Sequence, residues 1–212
     1  MKGEGPFAFS LTIHRGWRDH LNRQYSSMSH IFDPQVLQKV CADRLGLPTR
    51  EAISAITQDL ARMYPGHIET REDWFFNIAG GATGIMTVLH GSLSEYLIWF
   101  GTPVGTEGFS GRYHLDIYDV AIAGQFWVYD EDNPLERKVF GSGDLAHLRR
   151  GRVKGFQMME DCWVLEYGRG PVVTCLPMGL SGAILNLDGG ILWKTIRNYG
   201  RLVIKELLHG KI

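Results

Sequence analysis

The sequence predicts an α+β fold in which helices precede and follow a run of strands. Three observations carry the prediction. Residues 33–63 hold two stretches with apolar side chains at three- and four-residue spacing. Residues 74–177 hold many short apolar stretches, rich in β-branched and aromatic residues and broken by glycines and polar turns. After Pro177 the apolar spacing becomes helical again. Helices and strands segregated along the chain mark the α+β class rather than the alternating one.

Each element has a local reason. Asp33 suits an N-cap and Pro34 the first helical position, with Val36, Leu37 and Val40 as the apolar stripe. Gly46 and Pro48 end that helix. Thr49 is read as the N-cap of a second helix, whose apolar face is Ala52, Ile53, Ile56, Leu60 and Met63. The turn Tyr64-Pro65-Gly66-His67 stops it. Residues 85–90 and 95–100 read as a hairpin around Gly91-Ser92-Leu93-Ser94. Residues 101–111 are glycine-rich and read as a loop. Strands are predicted over 112–118, 121–129, 138–140, 153–158 and 162–167, enough short strands for a sandwich or small barrel. In 185–208, Leu185, Leu187, Ile191, Leu192, Ile196, Leu202, Val203 and Leu207 interleave with Lys194, Arg197, Arg201 and Lys205. That pattern fits a helix pair lying in a membrane interface, and equally one packed on the barrel.

Composition narrows the function. The 212 residues suit one domain, and 44% hydrophobic against 21% charged residues is enough for a packed core. The formal net charge of -1 leaves no broad basic field, so nucleic acid is not an expected partner. A basic group at Arg149, Arg150, Arg152 and Lys154 reads as a solvated loop. Three widely spaced cysteines are neither a disulfide framework nor a metal-binding pair. Cys162 and Cys175 read as buried thiols, with one disulfide left open. Residues 1–30 are polar, carry no signal peptide and read as a loosely held arm. The apolar stretch 74–100 contains His90, Glu95 and several glycines, so it reads as folded core rather than a membrane span.

There is no phosphate-binding glycine loop, no HExxH and no nucleophile elbow. The eight histidines are scattered and His114 has no histidine two residues away, so no metal site is expected. What stands out is carboxylates inside apolar strands: Glu95, Asp116, Asp119 and Glu166. Each could be the solvent face of a half-buried strand, because residues alternate sides. Buried together, two of them would raise each other's pKa and share a proton, leaving one acid and one base.

Several longer motifs carry a resemblance. These are Phe32-Asp33-Pro34, Tyr64-Pro65-Gly66-His67-Ile68, Asn77-Ile78-Ala79-Gly80-Gly81, and Leu89-His90-Gly91-Ser92-Leu93-Ser94-Glu95-Tyr96-Leu97-Ile98-Trp99-Phe100-Gly101-Thr102. Val104-Gly105-Thr106-Glu107-Gly108-Phe109-Ser110-Gly111-Arg112-Tyr113 and Trp163-Val164-Leu165-Glu166-Tyr167-Gly168-Arg169-Gly170 continue the series. From about residue 31 onward the chain resembles the sterol C-8 isomerase and sigma-1 receptor family, closer to the isomerase branch.

The resemblance implies an arm over 1–30 and a domain over 31–212, with a cupin-like barrel at about 74–177 and two C-terminal helices at about 178–212 against a membrane. It implies that Asp119 and Glu166 are the catalytic acids. Met86, Tyr96, Ile98, Phe100, Ile117, Leu176 and Tyr199 would line the pocket, with Tyr113 a hydroxyl near the acids and Glu95 structural. The implied reaction shifts a sterol double bond from C8=C9 to C7=C8 without cofactor or metal. The implied partners are a sterol, lipophilic amine inhibitors, the endoplasmic reticulum membrane and further copies of the chain, a trimer among the forms open. Two departures stand beside this. Family members usually begin with a spanning helix that residues 1–30 do not supply, and a pocket tryptophan of the receptor branch corresponds to Ala82. A receptor that binds amines without turnover, and a β-barrel interaction module with exposed acids, are the alternatives.

Overall fold

A computed structural model describes residues 30–211. The predicted arm lies outside the described residues, save His30. Helix α1 spans Pro34–Ala42 and helix α2 spans Thr49–Met63. Asp33 caps α1 as expected: its Oδ1 accepts from the backbone N–H of Gln35 and Val36 at 2.9 and 3.1 Å. Thr49 does not cap α2. It is the first helical residue, and Pro48 takes the cap position with no side-chain bond. The extended backbone of Pro48, with its carbonyl accepting from Ala52 N–H, starts the helix one residue sooner.

Ten strands follow. They are β1 (Phe75–Ala79), β2 (Ala82–Gly91), β3 (Glu95–Thr102), β4 (Thr106–Phe109), β5 (Asp116–Ala123), β6 (Gln125–Asp130), β7 (Lys138–Gly141), β8 (Leu145–Leu148), β9 (Lys154–Met158) and β10 (Cys162–Arg169). A six-stranded sheet runs β1-β2-β3-β10-β5-β8 and a four-stranded sheet runs β4-β9-β6-β7. All their pairings are antiparallel. Helices α3 (Leu176–Leu185) and α4 (Gly189–Leu208) complete the domain. This is the expected α+β, cupin-like plan, with two separate sheets rather than one continuous hydrogen-bonded cylinder.

The predicted hairpin is β2 and β3, and the apolar stretch 74–100 is sheet, not span. Among the described residues no helix is long and apolar enough to cross a membrane. The three cysteines are unpaired. Two predicted boundaries need correction. Residues 112–118 and 121–129 are not two strands split near Asp119. The chain stays extended through Asp119 and turns at Gly124, whose φ of +66° a side chain would resist. The stretch 101–111 is not all loop, because β4 forms inside it as an edge strand on β9. Strands β1 and β8 were not anticipated.

The six-stranded sheet is covered on both faces, which fixes the site. On one face Leu97, Trp99, Tyr118, Val120, Leu165 and Tyr167 pack under α1 and α2. Trp99 Nε1 donates to Thr57 Oγ1 of α2 at 3.0 Å. On the other face Phe100, Ala121 and Val164 join Phe126, Val128 and Met158 from the second sheet. Strand alternation therefore sends Tyr96, Ile98 and Phe100, Ile117 and Asp119, and Val164 and Glu166 inward between the sheets.

Candidate functional site

Between the sheets lies a cavity of about 220 Å³, walled on one side by α3 and α4. That is room for an organic ring system, not merely a few waters. Its walls are mostly aromatic and aliphatic. Asp119 and Glu166 both line it, as do Met86, Tyr96, Ile98 and Phe100. Tyr113, Ile117, Leu176 and Tyr199 also line it, so the ten residues that the resemblance assigns to acids and pocket lie at one cavity, while Glu95 and Asp116 do not line it. Met86 comes from β2, and Tyr96, Ile98 and Phe100 come from successive inward positions of β3.

The acids meet through register. β5 and β10 are hydrogen-bonded neighbours, and Glu166 stands directly opposite Asp119 in the ladder. Such partners hold their Cβ atoms about 5 Å apart on one face. The solvent-face reading of the acids therefore fails. Asp119 is 6% exposed, and Glu95 is fully buried on the helix side of the sheet. Glu166 retains some exposed surface, but that surface opens into the cavity, so its surroundings are apolar. Asp116 sits at the strand end, where its Oδ1 accepts from Arg150 N–H and hydrogen-bonds His147 Nε2.

Electrostatics separates the two pocket acids. Tyr96 Oη donates to Glu166 Oε1 at 2.6 Å. Burial, then the negative charge of Asp119, pushes the Glu166 carboxyl up to about 7; the Tyr96 hydroxyl and the Lys154 ammonium pull the other way. Asp119 has a cation of its own: Lys154 Nζ lies 2.5 Å from Asp119 Oδ2. Asp119 Oδ1 is buried with no hydrogen-bond partner among the described residues. Burial also pushes the Cys175 thiol up to about 12, so it offers no thiolate at the cavity wall.

Lys154 was missed as a pocket residue. It is not part of a solvated loop with Arg149, Arg150 and Arg152, being 9% exposed and lining the cavity. Its backbone exchanges two hydrogen bonds with Ser110, N–H to Oγ and C=O from N–H, both at 3.0 Å. These clamp the start of β9 beside β4. A lysine opening an apolar strand, Lys154-Gly155-Phe156-Gln157-Met158, was the available signal.

Glu95 has the structural role expected of it. Its carboxylate accepts from Ile31 N–H, Tyr167 Oη and Lys211 Nζ at 2.8, 2.8 and 3.0 Å, joining both ends of the described chain to the sheet. A further cluster brings donor atoms of His67, Glu206 and His209 within 4.8 Å of one another, the spacing of a possible metal site. None of the three lines the cavity. His67 Nδ1 lies 2.8 Å from Glu206 Oε2 and fastens α4 to the turn after α2.

A buried cross-strand acid pair inside an apolar two-sheet barrel defines a class: proteins that bind a hydrophobic ligand against paired carboxyls. The comparisons give the family. Residues 9–211 match the family described as "ERG2 and Sigma1 receptor like protein", and the chain belongs to it. It is 39% identical over 186 residues to "C-8 sterol isomerase ERG2" of Gibberella zeae, covering 87% of this chain and 77% of that protein. It is 37% identical to "C-8 sterol isomerase" of Pyricularia oryzae, over 91% and 89% of the two chains. It is 34% identical to "Sigma non-opioid intracellular receptor 1" of Gallus gallus, over 96% and 90%. Among solved structures, KdgF from Halomonas sp. aligns with a TM-score of 0.39 and 16% identity, over 49% of this chain and 93% of that one.

Proposed function

We propose that this chain is a sterol isomerase that moves a ring double bond from C8=C9 to C7=C8, with Asp119 and Glu166 as its acid–base pair. The observation that carries this reading is the ladder pairing of the two acids at an apolar cavity, one of them raised to about 7. Several family members bearing the isomerase name add to it. The reaction conserves atoms and electrons. A carboxyl O–H gives its proton to C9, and the π pair becomes the new C9–H bond. The C7–H bond then breaks, its electron pair becomes the C7=C8 bond, and the carboxyl pair regains a proton.

The positive charge between these steps sits near C8. A carboxylate in a site of low dielectric stabilises such a charge far more than water would, and dry aromatic walls keep water from trapping it. Met86, Tyr96, Ile98, Phe100, Tyr113, Ile117, Leu176 and Tyr199 are assigned to hold the flat hydrocarbon. Lipophilic amines should bind the same cavity, since an ammonium imitates the cation.

Delivery from a membrane belongs to the same reading. Leu185, Leu187 and Leu208 are 82%, 92% and 82% exposed on or between α3 and α4, and Trp193 is 63% exposed. Apolar surface of this extent on two consecutive helices suits an interfacial position, here assigned to the endoplasmic reticulum membrane. The test is turnover of a Δ8-sterol by detergent-solubilised protein. Asp119→Asn and Glu166→Gln should each lose on the order of 100-fold or more in kcat. Full activity in both variants would end the assignment, and tight amine binding without any turnover would favour the receptor reading.

A further inference from the structure

Asp119 and Glu166 have unlike partners. The ammonium of Lys154 lies 2.5 Å from Asp119 Oδ2, whereas Glu166 receives the neutral hydroxyl of Tyr96. Lys154 is itself buried, and two backbone hydrogen bonds with Ser110 fix the point from which its side chain enters the cavity. Its Nζ also lies 5.8 Å from the centre of the Phe126 ring, in the apolar wall. A buried cation is costly to desolvate and stays where a carboxylate compensates it. We propose that Lys154 is a positioning residue of the isomerase site, fixing the negative charge on Asp119 so that the pair's one proton resides on Glu166, the group that donates to C9.

This rests on the isomerase reading and deepens it. At the start the site holds Asp119 as carboxylate, Lys154 as ammonium and Glu166 as neutral acid. Glu166 O–H breaks as C9–H forms. When C7–H breaks, its proton passes to the carboxyl pair and exchanges with solvent as product leaves, and Lys154 keeps the resident proton on Glu166 by holding Asp119 charged. The buried Asp119 Oδ1, which has no donor among the described residues, is the natural acceptor for a proton held on the carboxyl across the ladder. The titratable groups around Glu166 are Asp119 on β5, Tyr96 on β3, Lys154 on β9, Cys175 before α3, Tyr113 in the loop between β4 and β5, and Tyr199 on α4. Of these, Lys154 is the one cation, and removing it alters the charge of the pair directly.

The test has two readouts on the full chain in detergent. In infrared spectra at neutral pH, the stretch of a buried protonated carboxyl should move when glutamate carboxyls carry ¹³C. It should stay put when aspartate carboxyls do, and vanish in Glu166→Gln. In turnover, Lys154→Met should move the basic limb of the kcat profile up by about 1–2 pH units, the size expected for losing a contacting charge. It should lower kcat about tenfold at neutral pH while KM stays within about threefold, and Lys154→Arg should restore the wild-type profile. A band that follows aspartate labelling, or an unshifted profile in Lys154→Met, overturns the proposal. If Lys154→Met does not fold, the labelled wild type and Lys154→Arg still decide it. A glutamate band in a wild type that converts no Δ8-sterol would sink the isomerase reading and leave the charge placement standing.

Discussion

Glu166 is held in a place that favours its neutral form. Burial and the charge of Asp119 raise its carboxyl from an ordinary 4.5 to about 7, so between those values the native state binds more protons at this residue than the unfolded chain does. Stability contributed by Glu166 is therefore lost as pH rises through that window. Glu166→Gln keeps the shape without the charge, and at about pH 8 it should be more stable than wild type by on the order of 1–3 kcal/mol. The gain should vanish near pH 4.5 and below, as read by thermal unfolding at both values. An equal difference at both would mean that packing, not charge, separates the two proteins. The family motifs led to Asp119 and Glu166 from sequence, but their burial was not legible. An acid in a strand looks the same whether its side faces water or a cavity, and here the second sheet decides. Lys154 was hidden for the same reason, since three arginines beside it in the chain made it look like part of a solvated turn.

At the scale of elements, the cavity depends on how closely α3 lies against β1. Gly182 is the point of closest approach: a Cβ there would sit 2.1 Å from the carbonyl oxygen of Ile78 and 2.5 Å from its Cβ. Backbone cannot yield by that much, so Gly182→Ala must push α3 outward. Because Leu176, Gly179 and Leu180 of that helix wall the cavity, the variant should lose both thermal stability and ligand affinity. The expected cost is about 1–3 kcal/mol in unfolding and tenfold or more in binding of a lipophilic amine. Unchanged amine affinity would show that α3 does not shape the site. Of the strands that escaped sequence reading, β4 and β8 pair with strands distant in the chain, whereas β1 pairs with its neighbour β2 across the tight Gly80-Gly81 turn. β4 lies in glycine-rich sequence where a Cβ on Gly108 would sit within 2.9 Å of Gly80 and Ala82 atoms, so glycine serves close approach there rather than flexibility. β8 is four residues long and is stabilised by its ladder with β5. The α1 cap, the β2–β3 hairpin and the C-terminal helices were legible because their signals are local.

At the scale of the whole molecule, one sheet serves two cores. Its outer face packs under α1 and α2 and supplies stability, while its inner face, with the second sheet, α3 and α4, makes the cavity. Strands covered on both faces read as continuous apolar runs, which explains why the class was predictable and the inward face was not. The same arrangement leaves apolar side chains of α3 and α4 outside. Leu185→Glu with Trp193→Glu should abolish flotation with anionic liposomes and leave thermal unfolding within about 0.5 kcal/mol of wild type, as expected for exposed positions. Flotation that survives both changes would remove the membrane assignment of this face.

The most direct measurement of the central claim is turnover of a Δ8-sterol in deuterated water, with products read by gas chromatography and mass spectrometry. The wild type should give a Δ7-sterol carrying one deuterium at C9, and Glu166→Gln and Asp119→Asn should lose that product. Labelled product formed at the wild-type rate by both variants would contradict it.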